Sequence, residues 1–223
     1  MMDILKIMAK ILEWYRSMMM QVQKWTAPKR MQIIHAFVVA EVLFSLTTVV
    51  LVLFVPTNIR LFVLLFAVGK KLGVLSAGML CLTLVPGIIR RFGILPELRV
   101  FLMMFRRHFG ILTYLFAVAH SLLTYWLPAL RFGFTPILTF QLLGMIALGF
   151  GTPLFITSND FSVRVLQKWW DHVHSLVYLM LFFAALHTLF TSPTTGILLM
   201  AVVVLEVISY LVQYSHGHTV PRG

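Results

Sequence analysis

Six apolar stretches, each close to the length needed to cross a bilayer, limit what this chain can fold into more than any other feature. They run at about 33–55, 72–89, 108–127, 136–156, 170–190 and 197–214. A hydrocarbon core of ~30 Å is crossed by about 20 helical residues. Soluble domains are roughly half apolar and one quarter charged. Here 60% of residues are hydrophobic and 11% charged. The prediction is an all-α membrane protein, a six-transmembrane-helix bundle. There is no Gly/Ser linker, low-complexity tract or clear repeat, so residues 31–215 read as one membrane domain and 216–223 as a tail. The N-terminus lacks a short apolar core with a small-residue cleavage site and reads as mature protein. The single cysteine, Cys81, cannot form an intrachain disulfide.

Residues 1–30 read as an amphipathic basic segment. Ile4, Leu5, Met8, Leu12 and Tyr15 recur at helical spacing, with Lys6, Lys10, Glu13 and Arg16 between them. That pattern fits an interfacial helix on an anionic lipid leaflet, or an extension packed on a partner. Met18–Met20 reads as apolar filler. Pro28-Lys29-Arg30 breaks and anchors the chain, and Pro56 closes the first span. Residues 59–68 are apolar but too short to span, and read as an interfacial piece leading to Gly69-Lys70-Lys71. Thr157-Ser158-Asn159-Asp160 is a polar turn suited to capping the following helix.

The net charge of +11 admits nucleic acid as a partner, but the basic residues sit between apolar spans, where they set topology. The positive-inside rule is decisive. Lys6, Lys10, Arg16, Lys24, Lys29, Arg30, Arg90, Arg91, Arg99, Arg106, Arg107, Arg164, Lys168 and Arg222 fall on one side; Arg60, Lys70, Lys71 and Arg131 fall on the other. Both termini are therefore expected in the cytoplasm. The third and fifth spans then run parallel, both outward.

These two spans carry the chemistry. His108 and His120 lie on the third, and His172, His174 and His187 on the fifth. Ionisable or ligating side chains within a membrane are costly and point to function. Thirteen helical residues, the spacing of His174 and His187, rise about 20 Å. His108 and His174 fall near the inner side, His120 and His187 toward the outer. Two parallel helices offering histidines at two depths suit two stacked b-type haems, each with an axial imidazole from each helix. The firmer pair is His120 with His187. His174 takes His108 as its first candidate partner and His172 as its second. The 3.6-residue repeat turns these positions off one face, so a bulge or kink has to compensate. Arg106 and Arg107 are candidate contacts for haem propionates. The plain alternatives are interhelical hydrogen bonding for the histidines and a topology signal for the arginines. His35 reads as a headgroup-level ring, Glu41 as bundle-paired or protonated, and His216 and His218 as a solvated tail.

The stretch RRHFGILTYLFAVAHSLLTYW (106–126) resembles the third helix of the ferric-reductase-like transmembrane domain family. WWDHVHSLVYLMLFFAALHTLF (169–190) resembles its fifth, with a W-x-x-x-H-x-x-x-Y-L core and a second histidine thirteen residues on. LTLVPGIIRRF (82–92) and LFITSND (154–160) support the bacterial YedZ/MsrQ branch. The resemblance covers about residues 69–215. It implies an integral, multi-pass protein of the bacterial inner membrane that binds haem b, one or two, and it also admits FMN. It carries the ligand role onto His120, His174 and His187; His108 stands where that branch has an apolar residue. It implies electron transfer from a cytoplasmic flavin reductase or a quinone to a periplasmic reductase. No Gly-rich dinucleotide fingerprint occurs, so the chain reads as an electron-transfer subunit without its own flavin/NADPH domain. The alternatives are a membrane subunit of a metal-ion or oxygen reductase using the same haems, and a structural or assembly subunit. An ion pathway through Glu41 and Glu206 lacks paired carboxylates at matched spacing.

Overall fold

In hydrocarbon a backbone N–H or C=O finds no water, so each apolar stretch must close its own hydrogen bonds as a helix. The computed structural model describes residues 2–54, 59–134 and 136–215, and the His216/His218 tail lies outside them. It is all α: α1 Met2–Thr26, α2 Arg30–Leu53, α3 Ile59–Phe92, α4 Pro96–Ser121, a π-helical turn Leu122–Trp126, α5 Leu127–Phe132, α6 Thr139–Ile156, α7 Asp160–Leu166, α8 Lys168–His174, α9 Leu176–Thr191 and α10 Pro193–Ser215. Six helical segments are long and apolar enough to cross a membrane: α2, α3, α4 with its extension to Phe132, α6, α8 with α9, and α10. Helix α1 stands outside that set. It packs on the start of α4, where Gln23 Nε2 donates to Glu97 O at 2.7 Å and Arg16 lies 3.8 Å from the Glu97 carboxylate.

One boundary reading is corrected. Residues 59–68 are not a separate interfacial piece: they are the first turns of α3, which continues through Gly69-Lys70-Lys71 to Phe92. Gly69 is buried against the π-helical turn, and a Cβ there would lie 2.8 Å from Leu123 Cβ. The glycine thus serves a close helix approach rather than a helix stop. The lysines are exposed, and their long stems let the ammonium groups leave the apolar face without breaking the helix. α3 ends where Gly93, at φ 66°, supplies the left-handed step; Gly93 N–H donates to Arg90 O and Ile94 N–H to Ile89 O.

The other irregularities have local causes. Pro128 follows the π-helical turn; proline clashes with the carbonyl four residues back, and a widened turn relieves that contact. Asn159 caps α7, its side chain accepting from Ser162 N–H at 2.8 Å. The fifth span breaks at Ser175, between α8 and α9. This break lies between His174 and His187.

The core is two apolar clusters. Ala77, Leu80, Leu84, Leu181, Ala185 and Leu199 join α3, α9 and α10, while Phe62, Leu65, Leu72, Ala119, Leu123 and Leu127 join α3 to α4 and its extension. Two buried polar contacts tie the bundle together. Arg91 of α3 meets Glu206 of α10 and donates from Nε to Ser209 Oγ at 2.7 Å, with side-chain exposures of 3% and 6% for Arg91 and Glu206. His108 of α4 meets Glu41 of α2, Nδ1 to Oε1 at 3.0 Å. Glu41 and Glu206 therefore each have a partner on a neighbouring helix. Removing one member of a buried pair leaves an unpaired charge, at a cost of about 3–5 kcal/mol. Glu206→Leu should lower the melting temperature in detergent, followed by far-UV circular dichroism, and Arg91→Met added to Glu206→Leu should recover most of the loss.

Candidate functional site

Two cavities lie inside the bundle, stacked along its axis. One, of about 770 Å³, is walled by α3, α4, α6, α9 and the start of α10, and contains His120 and His187. The other, of about 750 Å³, contains His174 and is walled in part by Arg90, Arg91, Arg99, Arg106 and Arg107. Leu80 and Met180 line both, 3% and 5% exposed, and form the floor between them. α4 and α9 each pass from the arginine-lined cavity to the His120/His187 cavity, so they run parallel.

The first cavity has the more developed geometry. The His120 and His187 rings meet edge to face, with centroids 6.1 Å apart and planes at 69°. His120 Nδ1 lies 2.9 Å from Gly69 O, and His187 Nδ1 lies 2.6 Å from Phe140 O. A carbonyl can only accept, so each Nδ1 carries the proton and each Nε2 keeps its lone pair. Each ring also lies flat against a glycine. A Cβ on Gly73 would sit 2.9 Å from His120 Nδ1, and a Cβ on Gly144 would sit 2.9 Å from His187 Nδ1. Gly73 lies four residues after Gly69, and Gly144 four after Phe140, one helical turn on the same face. The same device is thus built twice, once between α3 and α4 and once between α6 and α9.

The second cavity is built differently. His174 stacks on Trp170 at 3.8 Å, and its Nε2 lies 3.1 Å from Thr157 Oγ1. Its arginines are engaged with the protein. Arg106 Nε donates to Thr83 O at 3.0 Å, in the turn before Pro86; Arg107 donates to Ser158 O at 2.7 Å and to Asp160 at 2.9 Å. Tyr178 and Tyr210 meet through their hydroxyls at 2.8 Å at its edge.

Among the described residues no three or more His, Cys, Asp and Glu side chains are grouped to hold a bare metal ion. The His120/His187 pair offers two lone pairs, so a metal between them needs a ligand that brings its own donors. Two metal–imidazole bonds of about 2 Å, plus the ~1 Å from each nitrogen to its ring centre, put two axial rings about 6 Å apart. The observed spacing matches.

Residues 72–185 match the family model described as ferric reductase like transmembrane component. The chain belongs to this family. The match takes in His108, His120, His172 and His174 and ends two residues before His187. Relatives named "Protein-methionine-sulfoxide reductase heme-binding subunit MsrQ" occur in Brucella ovis, Brucella canis and Brucella melitensis. Each is 34% identical over 94 residues, which is 40% of this chain and 42% of the relative. The chain thus spans about two fifths of the length of these curated relatives in the matched region. No solved structure matches it. With six spans and bacterial relatives, it is an integral, multi-pass protein of the inner membrane.

For this ferric-reductase-like chain, the structure sorts the histidines. It brings His120 and His187 together. It separates His108 from His174: His108 faces α2, paired with Glu41 and stacked on Phe37 at 5.1 Å, and does not line the second cavity. Twelve residues at 100° each turn His108 well away from the face of His120. His172 points outward, its Nδ1 2.9 Å from Lys168 O and its ring beside Trp169. His35 is exposed on α2. Arg106 and Arg107 line the His174 cavity, not the His120/His187 cavity. Sequence reasoning did not single out Gly73 or Phe140, and it named Gly69 and Gly144 without giving them a part in the site; the signal available was a glycine inside each apolar span that faces a histidine-bearing helix. A side chain forced into such a site costs about 1–3 kcal/mol. Gly73→Val and Gly144→Val should each lower thermal stability by that amount, while Gly149→Val, where a Cβ meets nothing within 4 Å, should not.

Proposed function

We propose that this chain carries electrons across the membrane through one b-type haem, which His120 and His187 would hold between them. The observation that carries the reading is the paired rings, 6.1 Å apart, each with Nδ1 on a backbone carbonyl. Metal-bound histidines as a rule donate their other ring N–H to such a carbonyl, which fixes the tautomer and the ring's direction. Haem held by two imidazoles has no open position and passes electrons rather than binding oxygen. That favours a conduit over an oxygen reductase reacting at the iron.

The remaining residues hold and insulate that site. Gly69 and Phe140 orient the rings through their carbonyls, and Gly73 and Gly144 let the rings lie against the helices. The apolar wall, from Ala77 and Leu80 to Ala147, Met180 and Leu199, excludes water and weakens dielectric screening. His174 does not present the same arrangement. It faces a threonine hydroxyl and a tryptophan ring rather than a second imidazole, so the donor set there does not fit a bis-histidine haem.

On this reading the arginine-lined cavity faces the electron donor, a cytoplasmic flavin reductase or a quinone. The acceptor stands on the outer face. The Brucella relatives' name points to a methionine-sulfoxide-reducing partner for it.

A reduced-minus-oxidised visible spectrum of the purified protein tests the assignment. The expected result is a b-type α-band, lost in His120→Ala and His187→Ala and retained in His108→Ala and His174→Ala. Absence of the band in the parent protein reconstituted with haem would overturn the reading, as would full haem content in both the His120→Ala and His187→Ala variants.

A further inference from the structure

We propose that Lys70 and Lys71 bind the carboxylates on the edge of the group held by His120 and His187, and raise its reduction potential from the rim of the cavity. This rests on the haem reading above. Both lysines sit on α3 between Gly69, whose carbonyl orients His120, and Gly73, against which the His120 ring lies. Both line the His120/His187 cavity, and no aspartate or glutamate does. They are the only lysines or arginines on its described wall, since the five arginines belong to the other cavity.

The cavity carries its lysines at one end only. Its floor, at Leu80 and Met180, is apolar and buried. Its rim carries Gln141, Thr191, Ser192 and Thr195 beside the two lysines. An apolar macrocycle with two acids on one edge fits that gradient in one orientation, acids toward the rim. Neither lysine forms a salt bridge with a described carboxylate; Lys70 Nζ lies over the Phe66 ring at 4.9 Å.

The positions also suit the membrane. Nineteen residues separate Lys71 from Arg90 on α3, a rise of about 28 Å, close to the ~30 Å hydrocarbon thickness. With the arginines at the inner boundary, the lysines stand at the outer one. A lysine pair there is also suited to lipid phosphate, and that is the competing occupant. The cofactor carboxylate is favoured because both lysines share a cavity wall with the two histidines. Fixed positive charge beside a redox centre stabilises the added electron, and the effect grows as screening falls.

The test uses the full-length, haem-loaded protein in detergent. Lys70→Gln, Lys71→Gln, the double Gln variant and a Lys70→Arg/Lys71→Arg variant are titrated potentiometrically, and haem loss to apomyoglobin is timed. The expected result is a lower midpoint potential in each Gln variant and the largest fall in the double. Haem release from the double should be several-fold faster, and the Arg pair should stay near the parent. A double Gln variant with the parent's midpoint and release rate would overturn the proposal and leave the lysines as headgroup anchors. A parent without a haem band would sink the haem assignment itself, and this proposal with it; the parent spectrum, read first, tells the two failures apart.

Discussion

Everything in this bundle depends on two imidazoles being held against two glycines in apolar surroundings. A histidine in hydrocarbon needs a partner for its N–H. Here Gly69 and Phe140 supply carbonyls from neighbouring helices. Each carbonyl has two lone pairs, so it can serve its own helix and the ring together. The price is close approach, and only glycine at positions 73 and 144 permits it, since a Cβ would fall 2.9 Å from each ring. That contact fixes α3 against α4 and α6 against α9. The repeated four-residue step between carbonyl and glycine makes the two halves of the site equivalent in construction, without an obvious repeat in sequence.

Much of this was legible before the fold was known, for identifiable reasons. Apolar length gave the six spans because a membrane imposes a length on a helix. Basic residues gave the direction, and direction made His120 and His187 neighbours at one depth. What failed to show was rotation. His108 shares a helix with His120 and a depth with His174, yet it faces α2. Twelve residues at 100° each leave His108 and His120 on different faces, and α4 runs unbroken between them, so no bulge or kink compensates. The length of α3 was hidden for a different reason. Gly69-Lys70-Lys71 has the composition of a helix end, but the glycine answers to a neighbouring helix and the lysines to a cavity rim.

The buried acids show how a strongly basic membrane protein avoids unpaired charge. Glu41 meets His108 and Glu206 meets Arg91, each across a helix pair and neither on the wall of either cavity. These contacts replace an ion path with two separate locks, and they account for both deep carboxylates that the sequence displays. His108 thereby acquires a structural duty on the α2 side.

With the deep acids neutralised in this way, the net charge of +11 takes on a spatial meaning. Five arginines line the inner cavity, where Asp160 and Asp171 are also present, and two lysines line the outer one, where no acid is. Between them lies an apolar floor of Leu80 and Met180. An electron entering such a core is a negative charge in a medium that screens weakly, and it is favoured by fixed positive charge at either mouth. The two mouths differ in kind. Arginine, through its planar fork, holds backbone carbonyls and Asp160 while still lining its cavity. Lysine, on a flexible stem without a described carboxylate partner, is free to meet whatever carboxylate arrives. The inner mouth is thus held by contacts within the protein, whereas the outer one presents flexible cations on its wall.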